Sequence, residues 1–404
     1  MFPVYYDFLQ SIGQERPNLA LELLIGHEEV MTPFLIALMR GLWTSASTAD
    51  VETVVNSWIE RGQHLTTIAK SLYKVGGARL ELLTKVVDRA AALDIREALI
   101  QAMGVAASLY AEGATDAKAV FMRALRDLAK HDDASWTQVI WFSRDFQALV
   151  GEMEPGERAE VLATLISLPE LDYRAEDILY EIGKHDLQAV LDFLIHRLKH
   201  DRVLAKQKPD DSGQDRFEPI PYQLTKLNEL LAQAPEALLA ALRDDFDAES
   251  RFMFSYRGAR IVKSVFPAYE APLERLLLQY ITTGNDDDLQ FVIGILGAYE
   301  GSLEILGVCN EIIKAVPERS KIWNEVAAAI ETTGVVRGEY GVVEAFEHKL
   351  QAISSWMSDE DERVRNFAEW LTEGLQSQIK HERQRVDQSI ALRKYRYGVD
   401  KSED

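Results

Sequence analysis

SDEDERVRNFAEWL, residues 358–371, decides the fold. A dense acidic run leads straight into Val364, Phe367, Ala368 and Leu371, with Leu375 one turn further on. That i, i+3, i+4, i+7 spacing lines one face of a helix. Ser358 with Asp361 three residues later has the layout of a capping box, with Asp in place of the usual Glu. The acids then lie at the positive end of a helix dipole, where negative charge is favourable. The run is therefore read as the start of a helix rather than as a metal site.

Working outward, the rest of the chain repeats the pattern. ADVETVVNSWIERG places Val51, Val54, Val55, Trp58 and Ile59 on one face, and ARLELLTKVVDRAAAL does so with Leu80, Leu83, Val86, Val87 and Ala90. Strand-like alternation is nearly absent; GVVRGEYGVVEAF (334–346) reads as a loop entering a helix. The helices are short and come in pairs. Similar openings recur: RPNLALELL from Arg16, HDLQAVLDFL from His185, APEALLAAL from Ala234 and APLERLLLQY from Ala271. Each has Pro or Asp near the helix start, where Pro sacrifices no hydrogen bond and Asp can cap. From Ala234 to Ala271 is a step of about 37 residues, near the length of a two-helix solenoid repeat.

The layout D-x-D-x-x-V-R-x-x-A-x-x-L over 359–371 resembles the second half of a HEAT repeat. The resemblance implies an all-α fold, a right-handed α-solenoid of HEAT-like helical pairs, roughly nine to eleven of them at 35 to 40 residues each. It implies an architecture and no activity. The expected organisation is N-terminal helical repeats over 1–201, a polar loop insertion over 202–221, HEAT-like repeats over 222–379 and a basic terminal helix and tail over 380–404. The segment FLIHRLKHD…FEPIPY is also loosely similar to helical regions that follow the nucleotide-binding module of bacterial STAND-type defence NTPases; the module itself has no counterpart here.

The bulk numbers narrow the partners. Sixty-five acids against 44 bases give 404 residues a formal net charge of −21. Nucleic-acid binding draws on basic surface that displaces counterions from phosphates, and an anionic membrane surface also attracts bases, so neither is the expected partner. Cys309 stands alone, which excludes an intrachain disulfide framework and suits a reducing compartment. MFPVYYDFLQSIGQERP lacks a basic region before an apolar core, so no secretory signal is read. VMTPFLIALMRGLW is broken by Pro33 and Arg40 and is shorter than the ~20 apolar residues a bilayer requires. The expectation is a cytoplasmic protein without a cofactor.

No P-loop, HExxH, CxxC or GxSxG pattern occurs, and Gly334, Gly338 and Gly341 follow no strand. His196 and His200 lie at i, i+4 in HRLKH but lack a third ligand, and Arg197 and Lys199 beside them oppose a cation. Asn285-Asp286-Asp287-Asp288 and the acids of RDDFDAES (243–250) read as helix caps, because the loop of alternating oxygen ligands that calcium requires is missing. SWTQVIWFSRDF (135–146) gathers Trp136, Trp141, Phe142 and Phe146, which read as core.

The candidate binding face is RFMFSYRGARIVKSVF, 251–266, the least acidic and most aromatic stretch. Arg257, Arg260 and Lys263 fall three apart and are expected on one side of a helix, preceded by Phe252, Phe254 and Tyr256. With Arg251 and the distant Arg337 they form a set able to grip an acidic partner segment or phosphate through charge-assisted contacts. Two further stretches are candidate interfaces. KHERQRVDQSIALRKYRY (380–397) carries Arg383, Arg385, Arg393 and Lys394 and is expected to dock on an acidic partner or on the chain's own acidic surface. At the N-terminus Phe2, Val4, Tyr5, Tyr6, Phe8, Leu9 and Ile12 surround the first helix on more than one face, and Tyr5 and Phe8 point to contact with another chain, a copy of this one included.

The leading expectation is a non-catalytic scaffold or adaptor whose curved helical surface holds another protein. The alternatives are a recognition or sensor subunit of a bacterial defence system that acts with a separate effector enzyme, and an enzyme with its site on the concave face.

Overall fold

A computed structural model of the chain describes residues 3–45, 48–75, 79–140, 144–207, 217–221, 223–247 and 250–397. Trp141, Phe142, Phe2 and residues 208–216 of the expected polar loop lie outside them. The described residues contain helices, turns and coil but no strand. They pack as two compact units, Met1–Pro221 with Thr225–Leu230, and Tyr222–Leu224 with Leu231–Asp404.

The first unit begins with α1 (Pro3–Glu15), α2 (Pro17–Gly26), α3 (Glu28–Met31), α4 (Leu35–Trp43), α5 (Thr48–Arg61), α6 (Leu65–Ser71) and α7 (Leu80–Ala92). It continues through α8 (Arg96–Ala111), α9 (Ala117–Ala129), α10 (Thr137–Ile140), α11 (Arg144–Gly151), α12 (Pro155–Ala163), α13 (Tyr173–Gly183) and α14 (Leu187–Gln207). Two rows of contacts run through it. One passes from α1 to α4, α6, α8, α11 and α13; the other passes from α5 to α7, α9, α12 and α14. Helix α8 shows why two rows can share one core. It packs on α6, α7, α9 and α11, and nearly every side chain from Ala98 to Leu109 is buried, so it is apolar all round.

A short helix, α15 (Leu227–Leu231), bridges the sequence division. The second unit then holds α16 (Pro235–Asp245), α17 (Arg251–Phe254), α18 (Gly258–Val265), α19 (Ala271–Ile281), α20 (Asp286–Gly297), α21 (Leu306–Ala315), α22 (Lys321–Glu331), α23 (Gly341–Ile353) and α24 (Glu362–Tyr397). Its contacts again skip a helix, from α16 to α18, α20, α22 and α24, and from α19 to α21. Polar contacts between helices span 27 to 51 residues, and several of them fall at 34 to 36. Arg126–Glu160 and Gln147–Glu181 span 34 residues, Lys263 to the Ala298 carbonyl 35, Arg251–Asp287 36 and Arg383–Glu347 36.

Helix ends in the first unit share one chemistry. The N–H groups of Gln63, Ile95, Ala114 and Asp133 reach back five residues to carbonyls at the ends of α5, α7, α8 and α9. The residue before each has positive φ, including Asp94 at 52° and Asp132 at 51°. This left-handed closure satisfies carbonyls the helix leaves orphaned. At the other end of the unit, α1 and α4 touch backbone to backbone. A Cβ on Gly41 would run into the carbonyl oxygen of Gln10, and one on Gly13 into that of Leu38.

The opening stretch folds as its apolar spacing predicts and caps differently. Val364, Phe367, Ala368, Leu371 and Leu375 are buried along α24. The cap is Asp361 itself, whose Oδ1 accepts from the backbone N–H of Arg363 at 2.8 Å and whose carboxylate holds the Arg363 guanidinium. Ser358 instead closes the 3₁₀ turn Ser354–Ser358, donating to the Ser355 carbonyl at 3.1 Å. The capping box is thus corrected to a lone aspartate, because the turn places Ser358 before the helix axis begins. The boundary of the polar insertion also moves: residues 202–207 belong to α14. No helix among the described residues is long and apolar enough to cross a membrane.

Candidate functional site

The stretch 251–266 folds as α17, a turn and α18, and the turn is dictated by Phe254. Its ring packs against Phe246 at 5.0 Å and Phe291 at 5.2 Å between centroids. It occupies the space where Gly258 and Gly294 would carry a Cβ. Any larger residue at 258 meets a ring with nowhere to move. The chain therefore breaks between Phe254 and Gly258, leaving Tyr256 63% exposed. Arg257 sits just before α18 with φ −131° and ψ −70°, outside helical geometry.

That break corrects the expectation of one helical face. Arg257 precedes the helix, Arg260 lies in its first turn, and Lys263 turns inward. The Lys263 ammonium donates to the Ala298 carbonyl at 3.0 Å and sits 5.0 Å from the centre of the Tyr299 ring. Arg251 pairs with Asp287 at 3.2 Å and also stabilises the charged form of Glu325, opposing the burial that holds that carboxyl above its ordinary range. Arg337 is exposed in the coil between α22 and α23. What the fold brings together is Tyr256, Arg257 and Arg260. Burial, and secondarily the neighbouring charge of Arg260, pushes the Arg257 guanidinium below its ordinary value. The two guanidinium groups are thus neighbours at the break between α17 and α18.

Asn285 caps α20, its side chain accepting from the Asp287 N–H at 3.0 Å. Asp288 is held by Arg243 and by the Thr283 hydroxyl at 2.6 Å. Trp136 and Phe146 are buried. Among the described residues no group of three or more His, Cys, Asp or Glu side chains is placed to hold a metal ion. His200 packs edge-on against Phe217, 5.1 Å between centroids.

The basic end of the chain lies partly on its own acids. Arg383 pairs with Glu347 at 2.6 Å, Arg393 pairs with Glu339, and Arg385 pairs with Glu382 along the same helix. Lys394 is exposed with no ion pair among the described residues. At the other end Tyr5 meets Phe34 edge-on at 5.2 Å, while Phe8 stays largely in solvent.

No family model, no curated protein and no solved structure matches this chain. The chemistry of its own side chains therefore carries the functional reading.

Sequence reasoning missed three buried ionic groups. Arg197, read only as a charge that opposes a cation beside His196 and His200, is fully buried. Its Nε donates to the Pro219 carbonyl, its Nη2 to that of Glu218, and its Nη1 is shared among those of Leu165, Ile166 and Leu168, all at 2.6–3.0 Å. Burial lowers its pKa to about 10. Glu176 is buried and accepts from the backbone of Thr225, Lys226 and Leu227 and from the Thr225 hydroxyl, capping α15 from another helix. Lys349 is buried and donates to the Thr332 carbonyl just past α22; burial lowers its pKa to about 8. The signal in the sequence was register: Arg197 falls on the same face as Val190, Leu194 and Asp201, all buried.

Proposed function

We propose that the chain is a right-handed α-solenoid of HEAT-like helical pairs acting as a non-catalytic scaffold or adaptor, with Tyr256, Arg257 and Arg260 gripping an acidic segment of a protein partner. The skip-a-helix contacts in each unit and the polar contacts recurring near 35 residues support the architecture, since repeats that pack only on their neighbours generate both.

The observation that carries the function is the juxtaposition of Arg257 and Arg260 beside an exposed tyrosine. Two adjacent guanidinium groups can make charge-assisted hydrogen bonds to a carboxylate or phosphate, and tyrosine and arginine are the side chains that anchor interfaces. Arg251 and Lys263 support this surface from within rather than forming it.

The test is co-purification of the full chain followed by mass spectrometry, repeated with Arg257→Glu plus Arg260→Glu. A stoichiometric partner that is lost in the double variant, at an unchanged melting temperature, supports the proposal. Retention of the partner, or loss of partner and fold together, overturns it. The exposed apolar face of α1 is proposed as a second partner surface, covered by another copy of the chain.

A further inference from the structure

Two surfaces of this chain fit each other. The glycine crossing at Gly13 and Gly41 clamps α1 onto α4, so the face that α1 shows to solvent is fixed. Leu9 points into the core, while Val4 is 81% and Phe8 55% exposed. Val4, Phe8, Ser11 and Glu15 follow at i, i+4, i+7 and i+11, a single stripe. Asp7 lies beside it. From Met1 to Met31 the chain has five acids and one arginine. The result is an apolar ridge in an acidic field.

The far end of α24 is its counterpart. From Gln388 to Tyr397 there are three basic residues and no acid, on a chain that is acidic overall. Leu392 and Tyr395, one turn apart, are 62% and 86% exposed. Arg393 is engaged by Glu339, but Lys394 and Arg396 are exposed without an ion pair among the described residues. This is an apolar pair with basic neighbours along the helix.

We propose that α1 of one copy docks against the 388–397 portion of α24 of a second copy, head to tail. Val4 and Phe8 pack on Leu392 and Tyr395, removing apolar surface from water, and Asp7 and Glu15 face Arg396, one turn on from Leu392. The other way of covering α1 with a copy, α1 against α1, sets Asp7 and Glu15 against the same acids and is opposed by like-charge repulsion. A head-to-tail contact uses two different patches, so each copy keeps one of each free and the assembly grows unless it closes into a ring. The proposal rests on α1 being covered by another copy and adds the surface that covers it.

Mixing variants tests it. In light scattering the full chain should exceed the monomer mass, increasingly with concentration, and return to monomer at ~1 M salt, where the Debye length is about 3 Å. Val4→Glu plus Phe8→Glu should be monomeric alone, and so should Tyr395→Glu plus Arg396→Glu. Mixed in equal amounts, the two variants should form a dimer and stop, because each supplies the patch the other lacks. Self-association of the C-terminal variant at wild-type strength shows that α1 pairs with something other than α24 and overturns the proposal. Self-association of the α1 variant at wild-type strength removes α1 itself from the contact and overturns the underlying reading as well. A wild-type chain that stays monomeric at every concentration overturns both. Melting curves accompany each measurement; if the glutamates unfold α1, Val4→Ser plus Phe8→Gln replaces them and is held to the same outcomes.

Discussion

The guanidinium carbon of Arg197 lies 4.5 Å from the centre of the Phe217 ring, inside a shell of five main-chain carbonyls. Three of these belong to the turn after α12 and two to the segment that resumes after residue 216. One cation thus ties a helix end to a returning chain, favoured by the carbonyl dipoles at the C-terminus of α12. Arg197→Met leaves the carbonyls of that shell without their donors. It should cost ~3 kcal/mol or more and lower the melting temperature by on the order of 10 °C. Arg197→Lys should recover only part of this, because an ammonium cannot reach a planar fork of acceptors. Calorimetry on the three proteins decides; an unchanged transition in Arg197→Met would remove the strut from the account.

Glu176 makes the same region acid-sensitive. Its bonds to the N–H groups of Thr225, Lys226 and Leu227 outweigh burial, the largest single influence, and hold its pKa below the ordinary 4.5. The unfolded chain then binds more protons on the acid side, so the stabilisation is present above about 4.5 and is lost as pH falls through the folded value. Glu176→Gln should lower stability at neutral pH by ~1–3 kcal/mol and flatten the acid limb. Urea midpoints measured across the acid range give both.

Lys349 carries the same sign in an alkaline window. Burial places its folded pKa at about 8 against 10.5 for the free side chain. Between those values the unfolded state carries more protons, so stability should rise with pH across that window. Lys349→Met should abolish the rise. A slope that survives the substitution would assign it to other groups.

Gly41→Ala tests the clamp on α1. The new methyl group meets the Gln10 carbonyl, which belongs to the backbone of a helix and cannot swing aside. The substitution should cost ~1–3 kcal/mol or more through overpacking and expose α1 to limited proteolysis before the rest of the unit. If α1 stays protected, the crossing is looser than the structure draws it.

The pattern of apolar spacing was enough to place helices through nearly the whole chain. It marked the buried face of α24 from Val364 to Leu375, and the acids at 285–288 as a cap. These are local properties: a 3.6-residue period and an end-capping carboxylate are written within one or two turns. The candidate site was legible only in part. The residues from Tyr256 to Lys263 were identifiable by composition. Which of them faces outward turned on where the ring of Phe254 sits, and that depends on Phe246 and Phe291 from α20 and the end of α16.

By itself, then, the sequence determined the helical class and the local balance of charge: five acids against one arginine from Met1 to Met31, and three bases with no acid from Gln388 to Tyr397. The tertiary structure decided where charge is buried. Arg197 in HRLKH falls on the buried register and Lys199 does not, yet the acceptors of Arg197 come from carbonyls 21 to 32 residues away. A charged side chain enters a core only where such a shell waits for it, because an unpaired ion in a low-dielectric interior is too costly. That shell is assembled by packing, so the spacing of residues marks the buried face but not the acceptors that wait on it.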